Sequence, residues 1–158
     1  MKKQDSYVHY MTTASELDQR GIICTTVGYQ TILPHQNYPP VGSHPEGYYF
    51  QKGYGRRLPE YQVVYIAEGN GFFESEHVKR QYVSAGQCFL LFPNEWHEYA
   101  PSRESGWKEY WVGFRGKFAC QFVEEMMLST ENPIVRIHNH VRFISLFDEI
   151  IHNSEYEL

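Results

Sequence analysis

Six side chains in this sequence have the types and spacing to hold a polar small molecule: Arg56, Arg57, His97, Tyr99, Glu109 and Trp111. The two arginines stand just ahead of an apolar stretch that begins at Tyr61, and Tyr99 follows closely on His97. In a strand, Trp107, Glu109 and Trp111 share one face, while Tyr110 and Val112 share the other. An aromatic face beside an arginine and a carboxylate suits a sugar. The ring stacks on its C–H-rich faces, and the charged groups hold its hydroxyls by charge-assisted hydrogen bonds. A plainer arrangement fits the same residue types: a core tryptophan, an Arg–Glu ion pair and a surface tyrosine. Residue type alone leaves both open.

Other chemistries have less to rest on. His138-Asn-His140 has the spacing of two metal ligands on one strand face. It lies between Asn132-Pro133 and a helix-period segment, where a solvated loop is the ordinary reading. A metal-binding barrel would need a His-x-His and a Glu on the strand around Tyr61–Ile66, with a further His on a later strand. That segment reads Tyr-Gln-Val-Val-Tyr-Ile, and His97 stands nearly alone. There is no Gly-x-Ser-x-Gly elbow and no phosphate-binding loop. Cys24, Cys88 and Cys120 sit in apolar contexts, which raise a thiol's pKa and mark them as reduced core residues. The sequence thus implies no catalytic residue, no metal and no cofactor.

These side chains need a scaffold, and the sequence reads as one domain of mainly β structure. The chain has 158 residues, 42% hydrophobic and 21% charged, which is the balance of a soluble globular protein. Its aromatic content is 16%, led by 13 Tyr and 10 Phe. The net charge of −5, with Arg56-Arg57 and Lys79-Arg80 as isolated pairs, disfavours duplex DNA as a direct partner. No signal peptide and no membrane span is legible, so the cytoplasm is the expected location.

The spacing predicts strands over 22–33, 48–51, 61–67, 72–75, 79–83, 88–92 and 107–114, with turn signals between them. Gly69-Asn-Gly71 reads as a hairpin turn. Residues 34–47 hold four prolines, two glycines and two histidines, and a loop of that length tends to be functional. Residues 1–20 read as a polar arm with a short helical turn around 14–19. From Phe118 the period changes: Phe118, Ala119, Phe122, Val123, Met126 and Met127 share one helical face. Val141, Ile144, Phe147, Ile150 and Ile151 mark a second helix running towards Leu158. Its face suits either dimerisation or packing on the barrel.

Three blocks carry a resemblance. They are Arg56-Arg-Leu-Pro-Glu-Tyr-Gln-Val-Val-Tyr-Ile-Ala-Glu-Gly-Asn-Gly-Phe-Phe-Glu-Ser75, Ala85-Gly-Gln-Cys-Phe-Leu-Leu-Phe-Pro-Asn-Glu-Trp-His-Glu-Tyr99 and Gly106-Trp-Lys-Glu-Tyr-Trp-Val-Gly-Phe114. In this order they resemble the N-terminal effector-binding domain of AraC-type transcriptional regulators, over about residues 20–158. The first two blocks also fit cupins in general. The resemblance implies a cupin-like jelly-roll barrel over residues 21–116, after the arm of 1–20, with a helical dimerisation region over 117–158. It implies a small-molecule effector, often a sugar, a homodimer formed through the C-terminal helices, and DNA contact only through a further helix-turn-helix domain. Tyr99 matches the pocket tyrosine that follows the motif histidine. Trp111 matches the tryptophan on which the sugar stacks, and Glu109 falls where the arabinose regulator has a pocket histidine. Arg56 matches the ligand-holding arginine, with Arg57 as its rival. A stand-alone cupin enzyme, such as a sugar isomerase using His97, Tyr99 and Glu109 for proton transfer, is the competing expectation.

Overall fold

The computed structural model describes residues 6–11, 19, 21–50 and 55–156. Almost every β-branched or aromatic run has become an antiparallel strand. β1 (Ser6–Tyr10) pairs with β2 (Ile23–Ile32), and β2 pairs with β7 (Trp107–Arg115). β7 lies against the first half of β3 (Tyr61–Ser75), whose other edge takes β5 (Gln87–Leu91). β8 (Ile134–Arg136) completes this sheet beyond β5. β4 (Gln81–Ser84) and β6 (His97–Pro101) pair with the second half of β3 instead. β3 therefore belongs to both sheets, and they face each other as a cupin-like jelly roll.

The expected hairpin at Gly69-Asn70-Gly71 is not there: β3 runs straight through it. The Asn-Gly signal presumes that the flanking strands pair with each other. Here the two halves of β3 pair with different partners, and the glycines serve a bend. Gly69 has φ of +80°, and a Cβ on it would lie 2.2 Å from the Gly106 carbonyl oxygen. The β3–β7 register shifts between Ile66 and Glu68, which is the bulge that lets one strand change sheets.

Four further expectations change. Residues 46–48 form a single 3-10 turn, and no strand runs over 48–50; three prolines and a glycine just upstream deny that stretch a pairing edge. The 14–19 turn lies almost wholly outside the described residues, while part of the arm, Ser6–Tyr10, pairs as β1. β6 and β8, each five residues or fewer, carry no alternation long enough to read. Of the cysteines only Cys88 is buried; Cys24 is half-buried and Cys120 is exposed.

Between the sheets lies an aromatic-rich core that includes Val64, Ile66, Phe73, Phe89, Leu91, Tyr99, Trp107 and Trp111. Helices cover the outer face of the larger sheet. α1 (Ala119–Glu125) seats Ala119 and Val123 against Leu90 and Phe114. α2 (His140–Ser154) seats Phe147 against Tyr65, Cys88 and Tyr110. Asn139 caps α2 by accepting from the Arg142 N–H at 3.0 Å, which satisfies one of the otherwise unpaired first-turn donors. The His140 ring meets the Tyr65 hydroxyl at 2.9 Å. His138-Asn-His140 is thus a helix start.

Candidate functional site

Alternation along β7 sends Trp107, Glu109 and Trp111 into the space between the sheets, while Tyr110 faces α2. β6 contributes His97 and Tyr99 to the same interior. Arg56 lies in a bridge to His97, each residue's N–H donating to the other's carbonyl at 3.0 Å. That bridge aims the Arg56 side chain inward. Its Nε donates to His97 Nε2 at 3.0 Å, one Nη to the Tyr99 hydroxyl at 2.5 Å and the other to the Tyr48 carbonyl. The guanidinium also lies 4.4 Å from the centre of the Phe50 ring.

Arg57 points the other way. It pairs with Glu76 at 3.0 Å on the surface, both side chains about half exposed. Of the six sequence candidates, Arg56, His97, Tyr99, Glu109 and Trp111 are therefore brought to the barrel interior, and Arg57 is left at its rim.

The electrostatics are those of a dry site. Burial pushes the Glu109 carboxyl up to about 8, although the Tyr38 hydroxyl and the Arg56 charge both favour its ionised form. Burial, with Arg56 as second cause, drives His97 down to about 3. Its Nε2 accepts from Arg56, so Nδ1 carries the proton and donates to the Glu95 carbonyl at 3.1 Å. Both ring nitrogens are occupied. The Trp111 indole N–H donates to the Thr26 hydroxyl at 3.3 Å, and the ring is only 6% exposed.

Sequence reasoning missed the residues that fill this interior. The loop over 34–50 folds into the barrel mouth. The Tyr38 hydroxyl donates to the Glu109 carboxyl, 3.0 and 3.1 Å from its two oxygens. The Tyr48 hydroxyl donates to Glu60 at 2.9 Å. The His44 ring lies 5.6 Å from Trp111 and meets the Tyr10 hydroxyl at 2.5 Å. β2 contributes Gln30, the cross-strand partner of Glu109, which is 5% exposed. Among the described residues its Oε1 is buried without a hydrogen-bond partner, and the Trp107 indole N–H is turned to the Glu109 carboxyl. The loop's length was a signal of function, but no pattern says which of its tyrosines turns inward. Gln30 lies at the inward parity of β2 with Thr26 and Ile32, a register visible only once β2 is aligned on β7.

A family model, the AraC-like ligand binding domain, matches residues 43–157. No curated protein matches the sequence. Among solved structures, YhaK from Escherichia coli superposes with a TM-score of 0.51 at 11% identity, covering 85% of this chain and 52% of its own. A cupin 2 conserved barrel protein from Salinispora arenicola gives 0.41 at 15%, covering 78% and 87%. An apo variant of ToxT from Vibrio cholerae gives 0.43 at 14%, covering 66% and 42%. The chain spans about half the length of YhaK and about two fifths of ToxT.

Proposed function

This chain belongs to the family of AraC-like ligand-binding domains, and from that premise we propose that it is the effector-sensing part of a transcriptional regulator. A small carbohydrate enters the barrel, and its binding controls a helix-turn-helix domain elsewhere in the regulator. The observation that carries this reading is the interior itself. Buried Glu109, Tyr99 and Gln30 and half-buried Arg56 stand among Trp111, Trp107 and Phe50, which is the mixture of stacking faces and directional polar groups that a polyhydroxylated ring requires.

Two features favour a sensor over an isomerase. Both His97 nitrogens are engaged and burial keeps the ring neutral, so it has no free position for proton transfer. The loop residues Tyr38, His44 and Tyr48 already fill the interior, so ligand must exchange with them. That exchange gives the differential affinity between two states that a switch needs.

The test is a thermal-shift screen against neutral sugars, sugar acids and non-carbohydrate metabolites. One class is expected to raise Tm, because it binds only the folded state. Tyr99→Phe keeps the ring and removes the hydroxyl bonded to Arg56, and it should reduce the shift. A cooperatively melting protein that no carbohydrate shifts would refute the carbohydrate part of the proposal.

The C-terminal helices are the proposed homodimer contact. Phe147 is spent on intramolecular packing, but Phe122, Met126 and Leu146 stay 39–46% exposed. They line an apolar groove of about 550 Å3 between the helices and the outer face of the sheet. Leu146→Asp together with Met126→Asp is expected to convert dimer to monomer in light scattering with the fold retained. An unchanged mass would remove the helices from the interface. No helix among the described residues is long and apolar enough to cross a membrane; a cytoplasmic location goes with the regulator reading.

A further inference from the structure

The charge inventory of the barrel narrows the ligand class, an inference that rests on the sensor reading above. A guanidinium offers five N–H donors. Among the described residues, those of Arg56 meet His97 Nε2, the Tyr99 hydroxyl and the Tyr48 carbonyl. All three acceptors are neutral. Among the described residues no carboxylate lies in an ion pair with Arg56, and two of its N–H groups meet no acceptor. Glu109 is the acid on the inward face of β7, and burial raises its carboxyl to about 8. The other buried acids nearby are engaged elsewhere: Glu60 with the Tyr48 hydroxyl and with Gln62 at 3.0 Å, and Glu95 with the Ser75 hydroxyl and the His77 ring. A cleft of about 520 Å3 reaches Arg56 from solvent, and its rim charges, Glu46 and Arg57, are of opposite sign.

A half-buried cation that meets only neutral partners is under-compensated, and an anion that brings its own charge from the cleft relieves it. Arginine's planar fork fits a carboxylate bidentately. Deeper in, the groups left for a ligand are of another kind. Gln30 Oε1 accepts, and the Glu109 carboxyl can both donate and accept once Tyr38 withdraws.

We propose that the effector is a hydroxylated monocarboxylate, a sugar acid of the uronate kind. Its carboxylate lands on Arg56 in place of the Tyr48 carbonyl, and its hydroxyls go to Glu109 and Gln30 in place of the Tyr38 hydroxyl. The loop over 34–50 therefore holds the site with a carbonyl oxygen at one end and a hydroxyl at the other, the two polar ends that the ligand supplies.

The experiment is titration calorimetry of this chain at pH 7 with galacturonate and glucuronate against galactose and glucose. The same titrations are made on Arg56→Gln, Arg56→Lys and Tyr38→Phe, each first checked for a cooperative melt. A uronate is expected to bind about tenfold to a hundredfold tighter than its neutral parent, the range of one charge-assisted contact. That preference should vanish in Arg56→Gln and persist, weakened, in Arg56→Lys. Tyr38→Phe should bind the uronate several-fold tighter than the wild type, because the internal competitor for Glu109 is gone.

A neutral sugar that binds as well as its uronate would overturn the acid assignment and leave the carbohydrate sensor standing. A uronate preference that survives in Arg56→Gln would overturn the seat on Arg56. No binding by any of the four to the folded wild type would overturn both this inference and the carbohydrate reading. The comparison of uronate with parent sugar is made on the wild type, so it decides the ligand class even where a variant fails to fold.

Discussion

Trp111→Ala is expected to destabilise the domain by about 3–5 kcal/mol, the range for truncating a buried large aromatic, and to lower Tm by roughly 6–20 °C for a chain of this size. The ring is only 6% exposed and sits in the main core with Val64, Ile66 and Trp107. Gly28 on β2 shows how closely it is held: a Cβ there would fall 2.6 Å from the indole Cζ2 and 2.4 Å from the Tyr7 carbonyl oxygen. β2 can carry no side chain at that point, because the indole lies against its backbone. Removal of the ring leaves a cavity between strands that cannot close, since β1 and β7 hold β2 from both edges. The Thr26 hydroxyl also loses its donor. The expected outcome is a large Tm drop without ligand, read by calorimetry or circular dichroism. A drop of a degree or two would show instead that the ring contributes little to the fold in the absence of ligand. For the same reason Tyr99→Phe is the better probe of binding.

The contrast between Trp111 and Tyr38 marks how much of the site could be read from the sequence. Period-2 alternation is a local rule, and it placed Trp107, Glu109 and Trp111 together on the inward face. The strands around Tyr61–Ile66, Cys88–Leu91 and Trp107–Phe114 and the two helices were legible for the same reason: each rests on neighbours within a few residues. What pairs with what was not. The Asn70-Gly71 pair carries a strong hairpin signal, yet β3 passes through it because β4 and β6 take its second half. Gln30 meets Glu109 only through the β2–β7 register, and Tyr38 reaches it across 71 positions of sequence. Arg56 and Arg57 are indistinguishable by type. A backbone bridge to His97 points one inward, and a surface pair with Glu76 takes the other.

Between pH 6.5 and 8 the protein is expected to lose stability, and Glu109→Gln should abolish most of that loss. Burial raises the folded Glu109 value from 4.5 to about 8. The folded state therefore holds a proton that the unfolded state has released, and stability falls as pH rises through that interval. His97 and His44 act with the opposite sign. Burial depresses them from 6.5 to about 3 and about 4, so they lower stability as pH falls below 6.5 and are silent above it. From pH 6.5 to 8 the Glu109 slope stands without them. At about 1.4 kcal/mol per pH unit for one group it amounts to roughly 2 kcal/mol, or about 4–8 °C in Tm. His77 on the surface is raised by its hydrogen bond to Glu95, and its contribution is also lost as pH rises, so the quantity to read is the difference between variant and wild type. Gln keeps an oxygen for the Tyr38 hydroxyl and cannot ionise. The Tm of Glu109→Gln minus that of the wild type should therefore grow from pH 6.5 to 8 and level off above it. Two curves that stay parallel across that range would mean that Glu109 is ionised in the folded barrel at neutral pH. In that case Arg56 would have its counter-charge already, and the ligand would have no need to bring one.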